Sequence, residues 1–498
     1  MIGREMSKSI GDDATGSQRG AVLLLVTLGV FVLLGMAAFT VDFGWLYYNQ
    51  LQERKAAEAA ALAGVVHMPL PTSLTFGPGT DPYDTAMDIA ERNGYASDGT
   101  TTVTPLETPS PAQLRVEITR QVDTFFMRAF GIDTATVSAG ATAEQLPPLK
   151  IGSDESSIGG AASNFWVAIN GERRRKEDGD PFATRCLVNL CGGTTNAEFR
   201  DPAYYFAVEV DPAHANESLV VQVWDGTHMP RNTNVSTGES GGADDLELRW
   251  RLYAPDETPN NWLDNSTLVC TESFYRDGQG GRPAGWGVNE WRPICGGVPA
   301  VGGIYVLELS VHGQNDELTA FQLGATVGGG GSGVAVYGLG DLSLWMNFDD
   351  TTPTFKIVRL DPVYAGTQLI LSLFDPGDIS GSGHIEFTGA MSGMDCQVRV
   401  HRYNDNGGFQ GTTAWMSDGA ANPDGDWAGS NCGLTSSGNG GGSKIYNNDW
   451  VELMFDIPPD HTCSGSACWA NVEYTVADPT ERTTWSARIN GTPIHLEP

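Results

Sequence analysis

The stretch Gly20–Val41, "GAVLLLVTLGVFVLLGMAAFTV", holds 22 residues and no charge. A helix needs about 20 such residues to cross the hydrocarbon of a bilayer, whereas the apolar core of a cleaved signal peptide is about 7–15 residues long. The residues immediately after it constrain the chain further. "DFGWLYYNQLQERKAAEAAALAG", Asp42–Gly64, has no proline and ends in strong helix formers, so the span should run on unbroken into a water-facing half. Trp45, Tyr47 and Tyr48 fall where an interfacial aromatic belt belongs, Arg54 and Glu58 are spaced i,i+4, and Gly64 is a stop signal. As one helix, Gly20–Gly64 would be about 65 Å long, half in lipid and half projecting. Alanine dominates the projecting half, so another helix or a sheet can approach closely, and Ala57, Ala60 and Ala61 are the expected helix-packing residues. The competing readings are a bare stalk and cleavage at small residues near Met36–Ala38.

Charge and cysteines divide the chain in the same sense. Of a net −32, the first 150 residues contribute ten Lys/Arg against sixteen Asp/Glu, so most of the negative charge lies beyond them. A surface that acidic repels phosphate backbones, which excludes a nucleic-acid partner and suits an extracellular or loosely cation-binding surface. All eight cysteines lie beyond residue 185: Cys186, Cys191, Cys270, Cys295, Cys396, Cys432, Cys463 and Cys468. An even number on one side of a membrane span reads as disulfides in an oxidising compartment, with sequential pairing expected; C-x2-C zinc spacings and paired histidines are missing. Three cations, Arg4, Lys8 and Arg19, precede the span, Arg19 adjoining it, and two, Arg54 and Lys55, succeed it at more than ten residues, so positive charge and cysteines both favour a cytoplasmic location for residues 1–19.

The run from Arg19, "RGAVLLLVTLGVFVLLGMAAFTVDFGWLYYNQLQERKAAEAAALAG", resembles the N-terminal segment of TadE/TadG-type proteins of the Tad (Flp) pilus system. The shared pattern is an Arg-Gly start, a span, Val-Asp-x-Gly, an aromatic pair, Leu51-Gln52 and the tail Glu58–Gly64. "FF-x-R-x-FG" from Phe125 and the alternating alanines after it extend the resemblance to about Gln145. The resemblance implies a continuous helix that anchors the subunit and packs against others. It also carries a departure: processed prepilins have a glutamate five residues after the cleavage glycine, and counting from Gly20 that position is Leu25. An uncleaved, membrane-retained accessory is therefore expected rather than a major filament subunit.

Beyond the long helix (20–64), a small pilin-like α+β domain is expected at 65–146. It would hold a helix over Asp81–Asn93, strands over Thr101–Leu106, Gln113–Val122 and Thr134–Glu144, and a short amphipathic helix over Phe125–Ile132. Residues 147–163 read as a linker by composition. The remainder carries a diverged duplication at an offset of 150: Asp211 falls on Asp361, Leu219 on Leu369, Trp224 on Phe374 and Asp225 on Asp375. Alternating strands between Gly/Asn/Asp turns predict two β-sandwiches, 164–331 and 332–498. "VYGLGDLSLW", "DPVYAGTQLILSLFDPGD" and "TTWSARINGTPIHL" are similar to the distal modules of some Tad-like surface proteins. The fold class expected is thus an α+β pilin-like region, long membrane helix plus small sheet, succeeded by two mainly antiparallel β-sandwich domains.

Catalytic signals are poor. "GESGG" at 238–242 is one acid away from the trypsin-like motif, yet it lies in a polar loop and no histidine has the matching context. "RYNDNGG" at 402–408 lacks the glutamate that closes an EF-hand. Calcium ligands could come from sandwich-loop aspartates, namely Asp225, Asp244, Asp245, Asp375 and Asp378; otherwise no cofactor is expected. "ERRRKED" at 172–178 is a charge-balanced loop. Trp415 and Trp427 stand in a Gly/Asn-rich loop as a sugar or protein contact patch, or as plugs for one end of a sandwich.

The function expected is a non-catalytic, single-pass surface protein of Tad pilus type, with its C-terminal domains extracytoplasmic and its partners the membrane and other pilin-like proteins. The alternative is a membrane-anchored adhesin or carbohydrate binder with a surface glycan or protein ligand; a hydrolase is a third, without clustered acid/base groups to support it.

Overall fold

The structure is a computed structural model and describes residues 14–70, 74–169, 203–224, 247–275, 290–312, 319–347, 352–375, 382–403, 409–417, 432–437, 449–475 and 480–497. These residues form two compact units. The first takes in the described residues up to Val65, Phe76–Glu144 and those from Leu496 on; the second takes in residues 66–75 and Gln145–His495.

In the first unit, helix α1 runs without interruption through Ala14–Gly64, about 75 Å. From Val22 to Val41 nearly all its side chains stand uncovered. Thr27 and Thr40 satisfy their hydroxyls on the helix's own carbonyls, Leu23 O and Met36 O, both at 2.8 Å, as a helix in lipid requires. Beyond Val41 the same helix acquires a buried stripe: Asp42, Asn49, Glu53, Ala56, Ala57, Ala60 and Ala61. Their three- and four-residue spacing is that of one helix face against a core.

That face lies on α2 (Asp81–Arg92) and on an antiparallel sheet of β1 (Thr101–Glu107), β2 (Gln113–Asp123) and β3 (Thr134–Gln145). α2 begins at extended Thr80, has Pro82 and two acids in its first turn, and is stopped at Gly94, whose φ of 90° only glycine adopts without strain. The even residues of β2, Leu114, Val116, Ile118 and Val122, point into the core. Gly64 marks the tightest approach, since a Cβ there would stand 2.5 Å from Leu114 Cδ2 and 2.6 Å from Pro82 O. β2 runs back along α1: Leu114 meets Gly64, and Phe125, two residues past the strand, meets Asp42. The lengths agree, about 33 Å for 22 helical residues and about 36 Å for 11 extended ones. The last described residues return to this unit, where Glu497 N–H donates to Thr142 O at 2.9 Å. The expected helix over Phe125–Ile132 is instead a single 3-10 turn, Met127–Phe130, with no buried side chain.

The second unit is two large antiparallel sheets around one core. Residues 147–163, expected as a linker, are built into it. Lys150–Ile151 (β4) pairs with Val334–Leu339 on one side and Thr354–Arg359 on the other, and Ser157–Ile158 (β5) pairs with Thr319–Val327. Leu149, Ile151 and Ile158 are buried, and Asp154 accepts from Lys356 Nζ at 2.6 Å and Arg359 Nη1 at 2.8 Å. A Gly/Ser-rich composition conceals these anchors.

The duplication is present at its expected offset. Tyr204–Val210 corresponds to Thr354–Arg359, the turn Pro212–His214 to Pro362–Tyr364, and Ser218–Trp224 to Gln368–Asp375. In each copy the first strand joins one sheet and the second joins the other. The ten-stranded sheet has β4 and Val334–Leu339 at its centre, flanked by Thr354–Arg359 and Tyr204–Val210, then by Trp469–Thr475 and Gly303–His312. The twelve-stranded sheet is centred on Trp166–Ile169 (β6) against Asp341–Asn347, flanked by Thr319–Val327 and Thr480–Ile489, then by the Ser218 and Gln368 strands. Both central pairs are antiparallel, so the halves are related by a pseudo-twofold axis through the middle of the sandwich.

The two sandwich halves therefore share both sheets and a continuous core, and 331/332 is no boundary within it. Val334–Leu339, assigned by sequence to the second half, pairs with Tyr204–Val210 of the first. Joining the halves edge to edge removes two exposed sheet edges from each, which two separate sandwiches would have left open. The core repeats the symmetry with its partners exchanged: Trp250 packs edge-on to Phe321 at 5.3 Å, and in the other half Phe387 packs edge-on to Trp485 at 6.2 Å.

Candidate functional site

The first polar residue after the uncharged apolar stretch organises the first unit. Asp42 is fully buried and accepts three backbone N–H groups, from Phe125 at 2.7 Å, Phe126 at 2.9 Å and Met127 at 2.6 Å. The carboxylate thus caps the 3-10 turn Met127–Phe130, whose first amides lack partners of their own. The loop closes behind it: Thr124 N–H donates to Asp133 O, Arg128 Nε to Thr124 O, and Gly131, at φ 84°, turns the chain back. Trp45 lies 5.6 Å from Phe125 and stacks on Tyr48 at 5.8 Å. The sequence displays Val-Asp-x-Gly and FF-x-R-x-FG as separate motifs and does not join them, because Asp42 and Phe125 are 83 positions apart.

Nothing in the sequence singles out Glu53. It lies about three turns beyond Val41, outside the uncharged apolar stretch, and is fully buried with neither carboxyl oxygen bonded. Burial pushes its pKa up to about 7, while the Arg120 guanidinium pulls the other way.

Ala57, Ala60 and Ala61 are completely buried on the α1 face that packs on α2 and β2. Their small side chains admit the chain's own second helix and sheet.

In the second unit, Trp415 is half-buried, with the Arg399 guanidinium 4.4 Å from the centre of its ring. Arg399 is also bonded to Glu452, a buried carboxylate that accepts from His401 Nε2 at 2.9 Å and Arg488 Nη2 at 3.1 Å as well. Burial alone would raise Glu452, but its bonds to His401 and Arg399 outweigh burial and pull it down to about 2. One face of the Trp415 ring thus covers an ion-pair cluster. Trp427 lies outside the described residues.

Cys270 pairs with Cys295, Cys396 with Cys432, and Cys463 with Cys468, in the expected sequential order; Cys186 and Cys191 lie outside the described residues. The first two bridges each tie one sheet to the other, and they do so at opposite ends of the sandwich. Of the calcium candidates, Asp225, Asp244, Asp245 and Asp378 lie outside the described residues, as do the 238–242 motif, 172–178 and 404–408. Asp375 ends its strand in register with Asp449. Cys463 and Cys468 approach Asp361, but their sulfurs are bonded to each other and are not free to hold a metal.

The described residues thus comprise one apolar helix long enough to cross a membrane, a small sheet braced on its continuation, and a large disulfide-bonded β-sandwich. Residues 37–143, about a fifth of the chain, match the family model of Tad-like Flp pilus-assembly proteins, so this N-terminal stretch is similar to that family. The matched stretch contains Asp42, Glu53, the buried alanines and the capped loop. No curated protein matches the chain. Among solved structures, the Faustovirus major capsid protein is 8% identical over 86% of this chain and 82% of that one, with a TM-score of 0.13. The infectious bursal disease virus VP2 subviral particle is 12% identical over 71% and 82%, with a TM-score of 0.10. Scores this low carry no argument.

Proposed function

We infer that the protein is a non-catalytic, membrane-retained accessory of a Tad-type pilus, with residues 1–19 cytoplasmic and the sandwich extracytoplasmic. The observation that supports this most is the division of α1 at Asp42. The half before it is left bare for lipid or for neighbouring spans, and the half after it is consumed as the backbone of the chain's own α+β unit. A released protein would have no use for 20 uncovered apolar residues on a helix that continues into its core. The sandwich acts as a rigid spacer or contact module, held at both ends by disulfides that suit an oxidising compartment.

This assigns the helix-packing residues differently from a free docking face. Ala57, Ala60 and Ala61 hold the unit together, and association with pilus components falls to the span and the outer surfaces. The test is co-purification with pilus secretion-platform proteins from detergent-solubilised membranes. Lipid-facing substitutions such as Leu33→Asn should weaken it while leaving the sandwich folded. Association retained by a fragment lacking the span would overturn the reading.

A further inference from the structure

Four large apolar side chains of the capped loop are displayed rather than packed: Phe125, Phe126, Phe130 and Ile132 are 53%, 48%, 83% and 45% exposed. A turn of this size ordinarily hides its aromatics or does without them, and exposed clusters of this kind mark an interaction surface. Its position names the occupant. Asp42, the residue that holds the loop through three backbone N–H groups, directly succeeds Val41, where the uncharged span ends. The loop is thereby fixed at the level on α1 where the aromatic belt of Phe39, Phe43, Trp45 and Tyr48 begins, and Trp45 touches Phe125. The exposed apolar surface of the loop is continuous with that of a helix in lipid.

We propose that the Phe125–Ile132 loop is a second membrane contact, a foot whose aromatic side chains enter the bilayer interface beside the anchor helix. Interfacial aromatics and short apolar segments sit about 5–10 Å into the headgroup and acyl boundary. The Arg128 side chain, exposed on the same turn and tethered through Nε to Thr124 O, places a cation at the height of the lipid phosphates. Two contacts on one bilayer would fix the direction in which the first unit leaves the membrane, which a lone helix cannot do. The proposal rests on α1 being a membrane span.

The test uses the full-length protein in phosphatidylcholine/phosphatidylglycerol nanodiscs, with an environment-sensitive fluorophore on single introduced cysteines and the unsubstituted chain as labelling blank. Phe130→Cys reports the foot, Leu33→Cys the span, and Glu107→Cys a site at the far end of β1. Position 130 is so exposed that the label does not threaten folding. The expected result is a blue-shifted probe at 130, quenched more strongly by spin labels at the headgroup and carbon 5 than at carbon 12. The probe at 33 should show the deeper profile, and that at 107 should remain unquenched. A quenched probe at 33 with an unquenched one at 130 overturns the foot alone, whether water or another protein covers it. No quenching at either position overturns the anchor and the foot together.

Discussion

Phe125 N–H donates to Asp42 Oδ1 at 2.7 Å across 83 residues of chain, and the same carboxylate takes the next two amides as well. This contact ties the end of the lipid-spanning stretch to the loop after β2. Asp42→Ala should release the loop while leaving the sheet intact. Amide hydrogen exchange would show faster exchange at Phe125, Phe126 and Met127 and unchanged protection at Val116 and Ile118. Equal protection at all five would mean that the carboxylate does not hold the turn.

Glu53 makes the first unit sensitive to alkaline rather than acidic pH. Its folded-state pKa is raised to about 7, above the ordinary carboxyl range. Its proton is bound more tightly in the folded state, so stability is greater at pH 5 and is lost as pH rises through 7. Thermal unfolding of the wild type between pH 5 and 8 should show that decline, and Glu53→Gln should reduce it, the Glu144 carboxyl, raised by burial and by Glu497, keeping the remainder. A wild-type profile already flat across this range would contradict the buried, unpartnered carboxyl.

Glu452 acts in the opposite direction. Held down to about 2 by Arg399 and His401, it contributes stability above about pH 4.5 that is lost as pH falls towards 2. Glu452→Gln should destabilise the sandwich by roughly 2–3 kcal/mol at neutral pH, the lower end for a buried pair because Arg399 and Arg488 are partly exposed. Denaturant titrations at pH 7 and pH 3 would show a smaller difference between variant and wild type at the lower pH. The same substitution should loosen Trp415 through Arg399, visible as a change in tryptophan emission.

The Cys270–Cys295 and Cys396–Cys432 bridges close loops of 25 and 36 residues between the two sheets. Each should contribute about 3–4 kcal/mol on the chain-entropy scale. Replacing both cysteines of one pair by serine should lower the unfolding free energy by that amount, and similarly for either pair, since the pseudo-twofold axis places them at equivalent ends. A large loss for one pair and none for the other would show that the ends are not equivalent.

Much of this fold is legible in the sequence because it rests on local pattern. The uncharged run, the helix formers after it, the β2 alternation of Leu114, Val116 and Ile118, and the 150-residue offset all survive as structure. The illegible part depends on contacts distant in sequence. Nothing near Asp42 names Phe125 as its partner, and nothing near Ala57 and Ala60 says that Ala86 and Leu114 lie in the unit they pack into. Residues 147–163 read as a linker because glycine and serine mark one by composition, whereas the burial of Leu149, Ile151 and Ile158 decides the matter the other way. The fusion of the two halves is hidden for the same reason: a strand's pattern shows which face is buried but not which edge it joins.

The most direct test of the account is the mass and location of the mature chain. Membranes from cells expressing the protein would be washed at alkaline pH, and pellet and supernatant examined by intact mass spectrometry. The account predicts a chain that keeps Gly20–Val41 and stays in the pellet. A chain beginning after about Ala38 and recovered in the supernatant would contradict it.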